Sequence, residues 1–109
     1  MKRIPLRKLA HARSGDKGGS ANVGVIAYTA EGYAFLADTL TAECVESFFM
    51  PLGVGRVRRY ELPNLLAFNF ILPAVLSSGG GTNLRIDAQG KALGQALLAL
   101  ELDVPDDLL

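Results

Sequence analysis

His11-Ala-Arg-Ser-Gly-Asp-Lys-Gly-Gly-Ser-Ala-Asn22 joins two apolar segments near the start of a 109-residue chain. These twelve residues hold the only histidine, two cations, one acid, two hydroxyls, one amide and three glycines. So many polar groups between apolar segments mark a site or a demanding turn. Upstream, Ile4 to Arg13 reads as a strand, with Leu9, His11 and Arg13 on one face and Lys8, Ala10 and Ala12 on the other. Ser14 to Ser20 reads as a Gly-rich connection, and Asn22-Val-Gly-Val-Ile-Ala-Tyr28 as a β-branched strand suited to a central, doubly covered position. The two segments predict a hairpin with a long polar connection.

Further along, the period becomes helical. Phe35, Leu36, Leu40, Val45, Phe48 and Phe49 predict helix from Tyr33 to Phe49, broken near Thr39 to Thr41. Thr41 is placed to cap a second short helix, Glu43 suits its first turn, and Pro51 and Gly53 end it. Val54 to Leu62 alternates as a strand with Val57 and Arg59 opposite Arg56, Arg58 and Tyr60; Pro63-Asn64 turns the chain, and Leu65 to Leu72 returns. Pro73 to Gly81 is read as a loop whose glycines Gly79 to Gly81 form either an anion nest or a plain turn. Leu84 to Ile86 reads as a short extended piece, and Asp87 as the cap of a helix from Ala88 to Leu100. The acidic tail, Glu101 to Leu109, is expected to fray unless a partner holds it. The order ββαββα predicts a two-layer α+β sandwich, a mainly antiparallel sheet with helices on one face. The other face is then expected to be covered by another copy or another domain.

Composition narrows the function classes. Half of the residues are hydrophobic, and 11 basic residues balance 11 acidic ones, which predicts one folded domain over residues 1–109. Without a basic surplus, nucleic-acid binding is not expected. The lone Cys44 allows no intrachain disulfide and suits the cytoplasm; among apolar helix positions it reads as a buried, inert thiol. Arg7 and Lys8 interrupt the apolar core a signal peptide needs after Met1-Lys-Arg, so export is not expected. The apolar run Leu65 to Leu76 contains Asn69 and Pro73 and is too short for a membrane span. One His and one Cys offer no metal-ligand spacing, and the glycines match neither a Walker loop nor a dinucleotide fingerprint. No metal and no cofactor is expected.

Two readings of the opening stretch stay open. In the functional one, Arg13 and Lys17 bind an anionic group such as a carboxylate or a CoA phosphate with help from the Ser14 hydroxyl and glycine-flanked amides, His11 carries a proton, and Asp16 orients it or a substrate hydroxyl. In the structural one, Asp16 caps backbone amides, Arg13 pairs with an acid such as Glu61, and His11 packs on the sheet. Asn22 and Asn69, amides inside apolar strands, either face one polar pocket or fix strand register. Arg56, Arg58 and Arg59 read as a solvated basic edge, and Gly90 with Gly94 as a close helix contact.

His11-Ala-Arg-Ser-Gly-Asp-Lys-Gly, Ala21-Asn-Val-Gly24, Ala67-Phe-Asn-Phe70, Gly79-Gly-Gly81 and Leu84-Arg-Ile-Asp87 with Gly90-Lys91 together carry a resemblance. The chain resembles the AtuA-like ferredoxin-fold domain, which occurs alone and as the C-terminal part of acyclic terpene utilisation proteins. The resemblance runs from Leu6 to Leu100 and departs from the usual pattern at Gly19, where Asp or Asn is common. It implies a ferredoxin-like sandwich and a place in acyl-CoA or terpenoid catabolism. The larger N-terminal domain of those proteins is missing from this sequence. An accessory or assembly role follows, through a homo-oligomer or a separate larger AtuA-type domain. The alternatives are a hydratase, lyase or hydrolase using the His11 to Asn22 stretch, and a non-catalytic binder of an acyl-CoA-type ligand.

Overall fold

A computed structural model of the protein describes residues 1–17, 20–73 and 91–108, without the side chains of Asp16, Lys17, Lys91 and Ala92. Its elements are β1 (Lys2–Pro5), β2 (Ala10–Lys17), β3 (Ser20–Ala27), α1 (Ala30–Thr39), α2 (Ala42–Phe48), β4 (Arg58–Leu62), β5 (Ala67–Pro73), α3 (Lys91–Leu97) and β6 (Glu101–Val104). β2, β3, β5 and β4 form one antiparallel sheet in that order, and β1 pairs with β6 in a second. This is the expected α+β ferredoxin-like class, a sheet with its helices on one face.

The central strands are built by alternation. In β3, Ala21, Val23, Val25 and Ala27 are buried while Asn22, Gly24 and Ile26 are half-buried. In β5, Phe68, Phe70 and Leu72 point the same way as the β3 valines and are buried completely. They meet Leu36 and Leu40 of the first helical segment, Val45 of α2 and Leu97 of α3 in one hydrophobic cluster. Each such side chain contributes roughly 2 kcal/mol when fully withdrawn from water.

Local signals set the helix ends. The Thr29 hydroxyl accepts from Gly32 N–H at 2.9 Å, and the Thr41 hydroxyl accepts from Cys44 N–H at 3.1 Å. Each oxygen satisfies one of the amides a helix N-terminus leaves unpaired. Thr41 and the break before it stand where the sequence put them, whereas α1 begins earlier than Tyr33 because Thr29 supplies its own cap. α3 rests on β2 through Gly94, where an added Cβ would come within 3.3 Å of Ser14 Oγ and 3.4 Å of Ala12 Cβ. That fits the close contact expected at Gly94; Gly90 lies outside the described residues.

Three expectations are corrected. The first strand is not continuous from Ile4: β1 ends at Pro5, a 3-10 turn spans Leu6–Lys8, and β2 begins at Ala10. The long polar connection is also absent, because β2 runs through Ser14, Gly15, Asp16 and Lys17, each paired with a β3 residue as far as Lys17 opposite Ser20. Polar residues do not interrupt a ladder whose bonds come from the backbone. Finally, the C-terminal tail is a strand: Leu102 and Val104 are buried, and Lys2 to Pro5 pair with Val104 to Glu101. Leu6 N–H to the Leu100 carbonyl at 2.8 Å continues the tie. The readings for residues 74–90, including the Gly79 to Gly81 nest and the Asp87 cap, lie outside the described residues. Among the described residues, no helix is long and apolar enough to cross a membrane.

Candidate functional site

Strand alternation sorts the polar stretch onto two faces. Opposite the helices, cross-strand pairing sets His11 beside Ile26, Ala67 and Leu62; Arg13 beside Gly24, Asn69 and Tyr60; and Gly15 beside Asn22, Ile71 and Arg58. Neighbouring strands lie about 4.8 Å apart, so each row of four crosses the sheet in roughly 14 Å. Among the described residues, no helix packs on this face. The centre of the face is a groove of about 350 Å³ whose lining includes Arg13, Gly15, Asn22, Gly24, Ile26, Leu62, Leu65 and Asn69.

Asn22 and Asn69 meet there: Asn22 Nδ2 donates to Asn69 Oδ1 at 3.2 Å. In either orientation of the two amides, such a pair leaves one carbonyl and one amino group unspent. Neither asparagine makes another side-chain hydrogen bond among the described residues. The pair therefore links two adjacent strands and also offers a donor and an acceptor to whatever lies above.

Glycines make the floor. A Cβ at Gly24 would meet only backbone, the Arg13 carbonyl at 3.8 Å and the Phe68 carbonyl at 4.0 Å. At Gly15 the nearest atom would be Asn22 Oδ1 at 3.3 Å. Sequence reasoning did not single out either glycine as a floor residue, although a glycine inside a strand signals close approach of something to the backbone.

The remaining candidates divide. His11 is exposed on the same face as Arg13, with its ring 5.7 Å from that of Tyr28. Ser14 alternates to the helix face, where its Oγ accepts from Gly94 N–H at 3.3 Å, so this hydroxyl serves helix packing and is not turned toward Arg13. The side chains of Asp16 and Lys17 lie outside the described residues, and with them the orienting and anion-binding parts expected of them. Glu61 is not the partner of Arg13, because it pairs with Arg59 at 2.8 Å. Arg13, Arg56 and Arg58 take part in none of the ion pairs among the described residues. Arg56 and Arg58 flank a second hollow of about 390 Å³ on this face, with Ser20, Tyr60, Ile71 and Pro73. The face thus carries cations and, among its described positions, no acid.

Arg59 leaves the basic edge altogether. Its Nη1 donates to the carbonyls of Ala37 and Leu40, each at 3.0 Å, and its guanidinium lies 5.0 Å from the centre of the Phe68 ring. Cys44 is half-buried, and burial raises its thiol above the ordinary range, which keeps it protonated and unreactive at neutral pH. Among the described residues, no group of His, Cys, Asp and Glu is placed to hold a metal ion.

Fold and face together define an α+β sheet domain whose described helices all pack on one side of the four-stranded sheet. The model of the AtuA ferredoxin-like domain matches residues 4–103, and the chain belongs to that family. No curated protein and no solved structure matches the chain.

Proposed function

We propose that this chain is an accessory domain of the AtuA type, working in acyl-CoA or terpenoid catabolism, and that the sheet face opposite the described helices is its working surface. The larger AtuA-type domain is the partner this reading seats there. One observation carries it: the face opposite the helices exposes Leu62, Leu65 and Tyr60 beside three arginines that have no ion-pair partner among the described residues. These apolar side chains stand along the β4 edge with cations beside them, and such a mixed apolar and arginine-bearing patch is of the kind protein interfaces bury. Face-to-face pairing of two copies would set one cation-bearing surface, with no acid among its described positions, against another, so the charge favours a different partner with an acidic surface.

The test is capture of a separately expressed larger AtuA-type domain by the tagged chain, with light scattering of the chain alone. Wild type is expected to capture it, and Leu65→Asp and Ile71→Asp to lose at least tenfold in affinity, the scale of about 1.4 kcal/mol. Equal capture by these variants removes the face from the interface. A dimer of the chain alone that both substitutions dissolve would put a second copy there instead.

A further inference from the structure

We infer that the groove over Gly24 is a subsite for a small aliphatic carboxylate, its headgroup held between Arg13 and the free amino group of the Asn22–Asn69 pair and its chain lying on Ile26, Leu62 and Leu65. This deepens the reading of the face opposite the described helices as the working surface, but it does not depend on which partner covers that face.

The first argument is Gly24 itself. Glycine weakens a central strand, and a position so placed normally holds a β-branched residue. Nothing in the backbone requires it here: Gly24 has no positive φ, and an added Cβ would make only ordinary contacts with two carbonyl oxygens. What the missing side chain does is leave space between Arg13 on one side and Asn69 on the other, its neighbours across β2 and β5. Two strand spacings separate their Cα positions, about 10 Å, room for a planar headgroup but not for a second side chain.

The second argument is the match of chemistry to the two ends of the groove. At one end stand a guanidinium with no ion-pair partner among the described residues and an amide pair with one amino group unspent. A single cation plus a neutral donor suits a monoanion with two oxygens, since Arg binds a carboxylate through paired N–H groups and the amide donates one more. At the other end Ile26, Ala67, Leu62 and Leu65 offer only hydrocarbon. The volume, about 350 Å³, is at the lower end of the range for small-molecule sites. The separation of polar from apolar walls gives the ligand a direction.

Titration of the isotope-labelled chain with sodium octanoate, followed by the amide signals of Gly24 and Asn69 and the side-chain amide of Asn69, tests this. Octanoate is expected to shift these signals saturably, with octanol and octylamine at least tenfold weaker. Arg13→Gln should weaken octanoate about tenfold, the scale of one charge-assisted hydrogen bond. Gly24→Val should abolish binding while raising or preserving the unfolding temperature; Gly24→Ala serves the same purpose should the larger side chain disturb folding. Equal binding of octanol and octanoate, or unchanged octanoate binding in both glycine variants, overturns the subsite. A chain that captures the larger domain yet ignores octanoate also overturns it while sparing the interface. Octanoate binding by a chain that captures nothing supports the subsite and removes the assembly role.

Discussion

Arg59 ties the end of α1 to the sheet by three kinds of contact at once: two helix carbonyls, the Glu61 carboxylate and the face of Phe68. Its side chain is only 17% exposed, so removing it leaves the two carbonyls without their cation in a poorly solvated place. Arg59→Ala should therefore destabilise the protein by roughly 3 kcal/mol, read as a shift in the urea midpoint at constant slope. Nearby, the Tyr33 ring stacks on Phe68 at 4.5 Å, and its hydroxyl is buried with no hydrogen-bond partner among the described residues. Burial, and then the charge of Glu61, raise the Tyr33 phenol above its ordinary value, with Arg59 opposing; burial alone raises Cys44. Both groups are neutral when protonated, so as pH climbs the unfolded chain releases these protons first. Stability should be intact below pH 9.0, the ordinary thiol value, and decline as pH rises through the raised folded values. Urea midpoints on either side of pH 9.0 check this. Tyr33→Phe should remove the phenol's share of the alkaline loss. Alternation set Arg59 on the face opposite Arg56 and Arg58, but nothing in the sequence marked it as a helix tie, because its partners lie 19 and 22 positions away along the chain.

At the scale of elements, the Thr41 cap and the pairing of sequence neighbours were legible, and the pairing of distant segments was not. Thr41 announced α2 because its hydroxyl reaches an amide only three residues on, a contact written in adjacent letters. β6 gave no such sign: an acidic stretch containing Leu102 and Val104 becomes a strand only when β1, about a hundred residues earlier, lies beside it. The ladder makes the tail part of the core. Val104, fully buried, should cost about 2 kcal/mol as Val104→Ala, measured by thermal unfolding, whereas a frayed tail would register no change. The same contrast explains the opening stretch. Its glycines and charges resemble a loop in isolation, but β3 offers a paired residue for each of Ala10 to Lys17, and the ladder runs on through them.

For the whole molecule, the two sides of one sheet carry different burdens. Phe70 faces the helices and is fully buried, while Leu65 at the rim of the open face is 64% exposed. Phe70→Ala should cost 3 to 5 kcal/mol, roughly, and Leu65→Asp less than about 0.5 kcal/mol, compared by urea unfolding. Similar losses at both sites would mean that the open face is packed in the free chain, contrary to the reading of it as a working surface. By itself the sequence determined the α+β class, the helix break before Thr41, the hairpin of β4 and β5 and the family resemblance. Period, caps and motif spacing are local properties, written within a few residues of each other. Only the tertiary structure decided which polar residues stand together. Arg13 and Asn69 become neighbours across Gly24, and Ser14 turns away from them, because strand register, fixed by backbone pairing between distant segments, converts simple alternation into a shared face.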